Sequence, residues 1–295
     1  MTLGWAVSGM NGVLVIDKPA GPTSFEVVQR VRSLLSVKKA GHTGTLDPMA
    51  TGVLPVCLGE ATKVAGLLTE GDKAYDAVVR LGVETDTQDA EGKVLAEKPV
   101  PSLDRETLEA ALQRFRGTFT QVPPMFSAVK VSGKRLYELA RAGEEVPREA
   151  REVTVHELLL RDFSATELRL SVRSSKGFFV RTLAHDLGQA LGCGACLKAL
   201  RRTASGPFTL ARAVPLDKLD PKQAGALVVT MSEALAFLPA FVVSKADEAR
   251  VGHGVPLEVP PGVSGRVRVV GQGGALLALA EVGKDRRLHY LRVLA

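Results

Sequence analysis

The sequence predicts an α+β fold in two parts. Three observations carry this. Strand-like and helix-like segments are mixed, without the regular βαβ rhythm of a doubly wound sheet. Of the 295 residues, 45% are hydrophobic and 24% charged, which supports a sizeable core and excludes a disordered or low-complexity chain. After about Leu238 the composition turns rich in Gly, Val and Pro, with short strand-like runs. Residues 1–238 are therefore read as the main domain and 239–295 as a small, mostly β second domain.

Gly12–Lys18 is a short apolar run ending at Pro19-Ala20-Gly21-Pro22, a buried strand followed by a turn. Thr23 and Glu26 make a capping-box pattern before Val27, Val28, Val31, Leu34 and Leu35, so a helix begins there and ends near Ser36. Asp47-Pro48 has the form of a helix start, an N-cap followed by proline. Lys73 to Gly82 alternates, with Tyr75, Ala77, Val79 and Leu81 on one face. Pro101 to Gly117 reads as a helix, with Leu108, Leu112 and Phe115 on one stripe and Gly117 as its stop. Leu168, Leu170 and Val172 alternate with Arg169, Ser171 and Arg173, giving a strand with one core face and one basic face. Val180, Leu183, Ala184, Leu187 and Leu191 keep helical spacing up to Gly192 and Gly194. The most apolar stretch, Ala224 to Val243, is interrupted by Ser232, Glu233 and Pro239. It reads as a buried amphipathic helix ending before Pro239 rather than a membrane span. Arg266 to Val270 and Leu276 to Val282 form a hairpin about Gly271-Gln272-Gly273-Gly274. That glycine run is too short and wrongly placed for a dinucleotide loop.

The chain has 38 Lys+Arg against 32 Asp+Glu, a net charge of +6 that suits a polyanionic partner. Leu168 to Arg202 holds seven bases and one acid, Asp186. This one segment carries +6, the whole excess, and is a candidate anion-binding surface. Three cysteines, Cys57, Cys193 and Cys196, are too few and odd in number for a disulfide framework, and point to a reducing compartment. Cys193 and Cys196 have no second pair, and His156, His185, His253 and His289 lack ligand spacing, so no metal is expected. The first ten residues lack the features of a signal peptide, so the expected location is the cytoplasm.

The densest cluster of special residues is Gly41 to Gly52, GHTGTLDPMATG. Glycines there let the backbone turn tightly or meet a ligand closely. From the residues alone, Asp47 is either an N-cap or a carboxylate held on a rigid loop, a nucleophile or acid/base group. His42 is a base, a ligand or a stacking group. The segment GHTGTLDPMATGVLPVCLGEATK resembles the catalytic motif of the bacterial tRNA pseudouridine synthases of the TruB family. The resemblance includes GVLVIDKPAGPTS (Gly12–Ser24), KAYDAVVRLGVETDTQDAEG (Lys73–Gly92) and PPMFSAVKVSGKRLYELARAGEEVPREAR (Pro123–Arg151). It continues through SSKGFFVRTLAHDLG (Ser174–Gly188) and GCGACLKALRR (Gly192–Arg202), covering nearly all of residues 12–215 in order. The tail is similar to the family's PUA-type RNA-binding domain.

This resemblance implies a mixed, mostly antiparallel catalytic sheet with an RNA-gripping insertion at about 121–152. It implies isomerisation of a tRNA T-loop uridine, at position 55, to pseudouridine, together with assistance to tRNA folding. The base is detached from N1, rotated and rejoined through C5, without a cofactor. Asp47 is implied to be catalytic, supported by Tyr75, Arg181 and Leu200. His42 is implied to hold RNA whose target base has left its stack. Lys18, Lys130, Arg141, Lys176, Arg201 and Arg202 are implied RNA contacts. The expected partner is the T-arm stem-loop of tRNA, bound by a monomer with no obligatory protein partner. Two other readings are a non-catalytic RNA-binding or RNA-folding protein and a guide-RNA-dependent, dyskerin-like enzyme. Intact Asp47, Tyr75 and Arg181 disfavour the first; the absence of a long Lys-rich tail and an extended N-terminal segment disfavours the second. One departure is Phe178-Phe179, where relatives often have a Tyr before the Val/Ile-Arg.

Overall fold

The computed structural model describes residues 10–131 and 133–294. Its main sheet has ten strands. Along the principal path the order is Val214–Pro215, Gly12–Lys18, Thr51–Leu58, Ala195–Ser205, Lys73–Leu81, Glu167–Ser174, Arg151–Phe163 and Gly117–Gln121. Gly12–Lys18 runs parallel to Val214–Pro215, and Thr51–Leu58 parallel to Ala195–Ser205; the other pairings on this path are antiparallel. Ala195–Ser205 lies between Thr51–Leu58 and Lys73–Leu81 and so joins the two halves of the sheet.

Both faces of the first strand are covered. Leu14 and Ile16 enter one apolar cluster, Val13 and Val15 another, and all four are fully buried. Such a strand reads as a continuous apolar run, as its sequence does. The helix Ser24–Leu34 carries the expected reciprocal cap between Thr23 and Glu26, and buries Val27, Val28 and Val31. The helix Val180–Ala190 packs Val180, Leu183, Ala184 and Leu187 into the first cluster. In Glu167–Ser174 the apolar residues are buried and Arg169 and Arg173 exposed, as the alternation predicts.

Three expectations are corrected. Asp47-Pro48 starts no helix; the chain makes a tight turn in which the Ala50 N–H bonds the Asp47 carbonyl at 3.0 Å. The helix expected over 101–117 spans Arg105–Gln113, because Asp104 is the residue that caps it, accepting from the Thr107 N–H. Gly117 opens the strand Gly117–Gln121 instead of merely stopping the helix. The apolar stretch 224–243 is two short helices, Ala224–Leu227 and Met231–Ala234, not one. Between them Val229 exchanges both main-chain hydrogen bonds with Val13, at 2.8 and 2.9 Å, and Thr230 caps the second helix.

The C-terminal β domain is separate, with a four-stranded sheet ordered Ala240–Val242, Gly265–Val270, Leu276–Val282, Leu288–Val293. The predicted hairpin is its central pair. The helix Lys245–Gly252 adds Val251 to a core with Val243, Val267, Val269 and Leu288. A different face docks on the main domain: Val270, Leu276 and Leu279 share a cluster with Val13, Val15, Val229 and Leu235. Arg268 fastens the junction, donating to the Leu238 carbonyl at 3.0 Å and to the carbonyl and hydroxyl of Ser232 at 3.1 and 3.0 Å. Among the described residues no helix is long and apolar enough to cross a membrane.

Candidate active site

The turn that carries Asp47 is braced from both sides. Lys18, at the end of the first strand and fully buried, donates its ammonium to the carbonyls of Pro19, Pro48 and Ala50 at 3.0, 3.1 and 2.7 Å. The Ser24 hydroxyl bonds both the N–H and the carbonyl of Leu46, at 2.8 and 2.9 Å. From the central strand, Arg202 donates to the carbonyls of Val53, Thr45 and Gly44 at 2.7, 3.3 and 3.1 Å. Gly52 makes this close approach possible: its φ is +102°, and a Cβ would lie 2.2 Å from the Arg202 carbonyl oxygen. Gly52 thus serves packing of the loop against its support, whereas a Cβ at Gly41 would meet nothing within 4 Å.

The structure places two of the implied RNA contacts inside the fold: Lys18 and Arg202 are 0% and 1% exposed and spend their donors on loop carbonyls. A third, Arg201, points to the opposite face of the sheet, where its guanidinium makes a two-point pair with Asp17 at 3.1 and 2.7 Å. Alternation along the strand dictates this: Leu200 and Arg202 line the cleft, and the residue between them cannot.

Lys18→Met should therefore loosen the turn. Three carbonyls lose a charged donor, and denaturant unfolding should register a loss of about 3 kcal/mol; a loss under about 0.5 kcal/mol would remove the bracing role. Burial also lowers the Lys18 pKa to about 8 from 10.5. The folded protein therefore releases this proton before the unfolded chain does. Between pH 8 and 10.5 the wild type should gain stability relative to Lys18→Met as pH rises.

Arg181, in the first turn of its helix and 5% exposed, faces Asp47. Its Nε lies 2.9 Å from Asp47 Oδ2 and its Nη2 3.2 Å from Oδ1. The same guanidinium donates to the carbonyls of Thr87 at 3.0 Å and Phe126 at 2.7 Å. Its Nη1 also lies 3.5 Å from Asp89. Gln121 sets the approach to this helix, exchanging bonds with the N–H and carbonyl of Phe179 at 2.8 and 3.1 Å. Burial pushes the Asp47 pKa above its ordinary value; Arg181 pulls it down and Asp89 adds to the rise. Asp89 is the residue that sequence reasoning missed. It sits in the quoted Lys73–Gly92 segment among Glu84, Asp86 and Glu91, and nothing in the sequence distinguishes it from them.

Tyr75, His42 and Leu200 line the same cleft as Asp47 and Arg181. Tyr75 stands opposite Arg202 in the strand register. Burial raises its pKa against the pull of Arg202, so the phenol is neutral. His42 ends the short strand Ala40–His42, and its Nδ1 accepts the Gly44 N–H at 3.3 Å. Burial, Arg202 and Arg135 lower its pKa. The neutral ring therefore carries its proton on Nε2. Phe178 and Phe179 complete the wall, Phe178 edge-on to Phe119 at 6.4 Å. Lys176 lines the mouth and pairs with Glu70. Lys130 and Arg141 do not line the cleft: Lys130 is exposed on the hairpin Lys130–Val131/Lys134–Arg135, and Arg141 sits 5.6 Å over the Tyr137 ring. The segment 121–152 nonetheless reaches the centre through the Phe126 carbonyl on Arg181. The three cysteines are buried, and among the described residues no His, Cys, Asp or Glu cluster is arranged to hold a metal.

Residues 32–180 match the TruB family pseudouridylate synthase N-terminal domain, and residues 181–231 match the tRNA pseudouridylate synthase B C-terminal domain. The chain belongs to the TruB family. Among curated relatives, it is 50% identical over 275 residues to tRNA pseudouridine synthase B of Azoarcus sp. (strain BH72), spanning 92% of this chain and 91% of that protein. With the same enzyme of Chromobacterium violaceum it shares 48% over 292 residues, 97% and 95% of the two chains. Among solved structures it is similar to a chain of a Cbf5-Nop10-Gar1 complex, with a TM-score of 0.74 and 28% identity over 96% of this chain and 84% of that one. A chain of an H/ACA RNP bound to a substrate RNA containing 2'-deoxyuridine gives 0.73 and 25%, over 96% and 85%. The two TruB-family matches stop short of the β domain after Leu238.

Proposed function

We propose that this TruB-family enzyme isomerises uridine 55 in the T loop of tRNA to pseudouridine. The observation that carries the reading is the Asp47 carboxylate held at two points by a buried arginine inside an aromatic-walled cleft. The reaction exchanges the N1–C1' bond for a C5–C1' bond; N1 gains a proton and C5 loses one. No group is oxidised or reduced. The residues supply a carboxylate, a neutral phenol and a neutral imidazole, and these suffice to bind an extruded base and move its protons. Tyr75 offers a face for the uracil ring, and the His42 Nε2–H a donor to RNA at the cleft mouth. An unmodified tRNA transcript incubated with the protein, then labelled for pseudouridine, tests this directly. A transcript left unlabelled at position 55 would sink it.

If ionised Asp47 is the reagent, the single-turnover rate rises as pH climbs through its folded pKa. Because burial raises that pKa, the acid limb should have its midpoint above the ordinary 3.8. A midpoint at or below that value would remove Asp47 from the role.

We further read residues 1–238 as the catalytic unit, 121–152 as an RNA-gripping insertion, and 239–295 as a PUA-like RNA-binding unit. The C-terminal unit contains none of the cleft residues, so it extends the footprint on a cytoplasmic, monomeric enzyme. A chain ending at Leu238 should still isomerise a T-arm hairpin, but bind whole tRNA more weakly. It loses Val270, Leu276 and Leu279 from the shared cluster, and buried apolar side chains contribute about 1.5–3 kcal/mol each, so its melting temperature should fall well below that of the full chain. An inactive but folded truncation would place the tail in the active centre.

A further inference from the structure

The cleft floor has more buried positive charge than its acids account for. Arg181 has Asp47 and Asp89 as partners. Lys73 and Arg202 have no ion-pair partner among the described residues, although they are only 7% and 1% exposed. The acids within three residues of Lys73 are engaged elsewhere: Glu70 with Lys176, Asp72 with Arg173 and His156, and Asp76 with the Ser171 hydroxyl. Burying a cation without an anion is costly, and folded proteins meet that cost with a partner or a ligand.

The Lys73 stem and the Arg202 guanidinium both approach Gly44. Lys73 opens its strand, and its ammonium donates to the carbonyls of Thr69 and Gly71, which leaves one of its three protons uncommitted. Arg202 stands on the neighbouring strand. Both line the cleft beside Gly44. A Cβ at Gly44 would sit 3.6 Å from Arg202 Nη1 and 4.0 Å from Lys73 Cε, so the missing side chain leaves space bordered by both. Burial first, and then Arg202, bring the Lys73 pKa down to about 8. The ammonium is thus mostly charged at neutral pH, and an anion beside it would relieve the desolvation. Carbonyls take up part of each cation's hydrogen-bonding capacity but none of its charge.

We propose that Lys73, with the field of Arg202 behind it, binds a phosphodiester of the substrate RNA that flanks the extruded uridine, in the space over Gly44. The proposal rests on the tRNA reading above. It gives Lys73 a different task from the bracing groups: the braces fix Asp47, whereas Lys73 fixes the backbone from which the base swings out. One phosphate held at the floor would set the sugar at a constant distance from Asp47.

The test pairs protein and RNA substitutions. T-arm hairpins carry a single neutral methylphosphonate either 5' or 3' of the target uridine, and binding is measured to the wild type and to Lys73→Met. One of the two positions should cost the wild type about tenfold in affinity, the scale of a charge-assisted contact. The same position should cost Lys73→Met less than twofold, because the contact is already gone. The variant's salt slope on unmodified hairpin should also fall by roughly 0.7. Equal methylphosphonate penalties in the two proteins would overturn the site, since a merely structural lysine leaves the phosphate effect untouched. Should Lys73→Met not fold, the wild type decides alone: no penalty at either position overturns the proposal. A wild type that isomerises the hairpin without such a penalty refutes only this site. One that neither binds nor isomerises it refutes the tRNA reading as well.

Discussion

Asp47→Asn is expected to lower single-turnover isomerisation of a T-arm hairpin by at least about a thousandfold, while leaving RNA affinity within a few-fold of wild type. The amide keeps the volume and one acceptor oxygen but has no negative charge. The turn that holds it should survive, because Lys18, Ser24 and Arg202 grip main-chain groups rather than the Asp47 side chain. Arg181 would keep Asp89, Thr87 and Phe126 as partners. Loss of chemistry without loss of fold or binding is the signature to look for. Ordinary turnover by Asp47→Asn would exclude the carboxylate from the reaction.

Arg181→Met should damage both chemistry and stability. It leaves two carboxylates without their cation, and Asp89 is almost wholly buried. Breaking a buried pair in this way costs about 3–5 kcal/mol. Two carbonyls, of Thr87 and Phe126, also lose a charged donor. Without the guanidinium the Asp47 pKa should rise further, moving the acid limb of any residual activity toward neutral pH. Arg181→Lys keeps the charge but not the two-point geometry, so it should recover stability more than rate. A fully stable Arg181→Met protein would contradict the ion-pair network described above.

Much of this was legible in the sequence, for identifiable reasons. Gly12–Lys18 and the capped helix after it were readable because apolar pattern and local capping chemistry agree. The hairpin at Gly271–Gly274 was readable because alternation brackets a glycine turn. Asp47, Tyr75 and Arg181 came from the motif resemblance, and the structure brings them to one cleft. The misreadings share one cause: long-range contacts decide what local pattern leaves open. Val229 leaves a helical pattern because Val13 offers it a bridge. Arg201 and Arg202 look alike in sequence, yet strand alternation sends one to Asp17 and the other beneath the loop. Asp89 was hidden among neighbouring acids, and its importance comes from a contact with Arg181, which lies far along the chain.

The position of Ala195–Ser205 between the two halves of the sheet bears on how the protein is made. On one side lie Gly12–Lys18 and Thr51–Leu58; on the other, Lys73–Leu81, Glu167–Ser174 and Arg151–Phe163. Apart from Val214–Pro215, the strands of both halves are made before the strand that unites them. A chain ending near residue 190 therefore leaves the Lys73–Leu81 edge raw along its length and able to pair with another molecule, whereas Thr51–Leu58 is already covered by Ala40–His42 at Val56–Leu58 and offers the uniting strand only Thr51 and Gly52. Lys73–Leu81 is apolar on its core-facing side, so truncated chains of this length should be prone to aggregate and to need chaperone protection. The uniting strand also brings Leu200 and Arg202, so the cleft floor is completed in the same step that removes that edge. A half-made chain thus carries Asp47 without a finished site, and the enzyme becomes competent only once its sheet has closed.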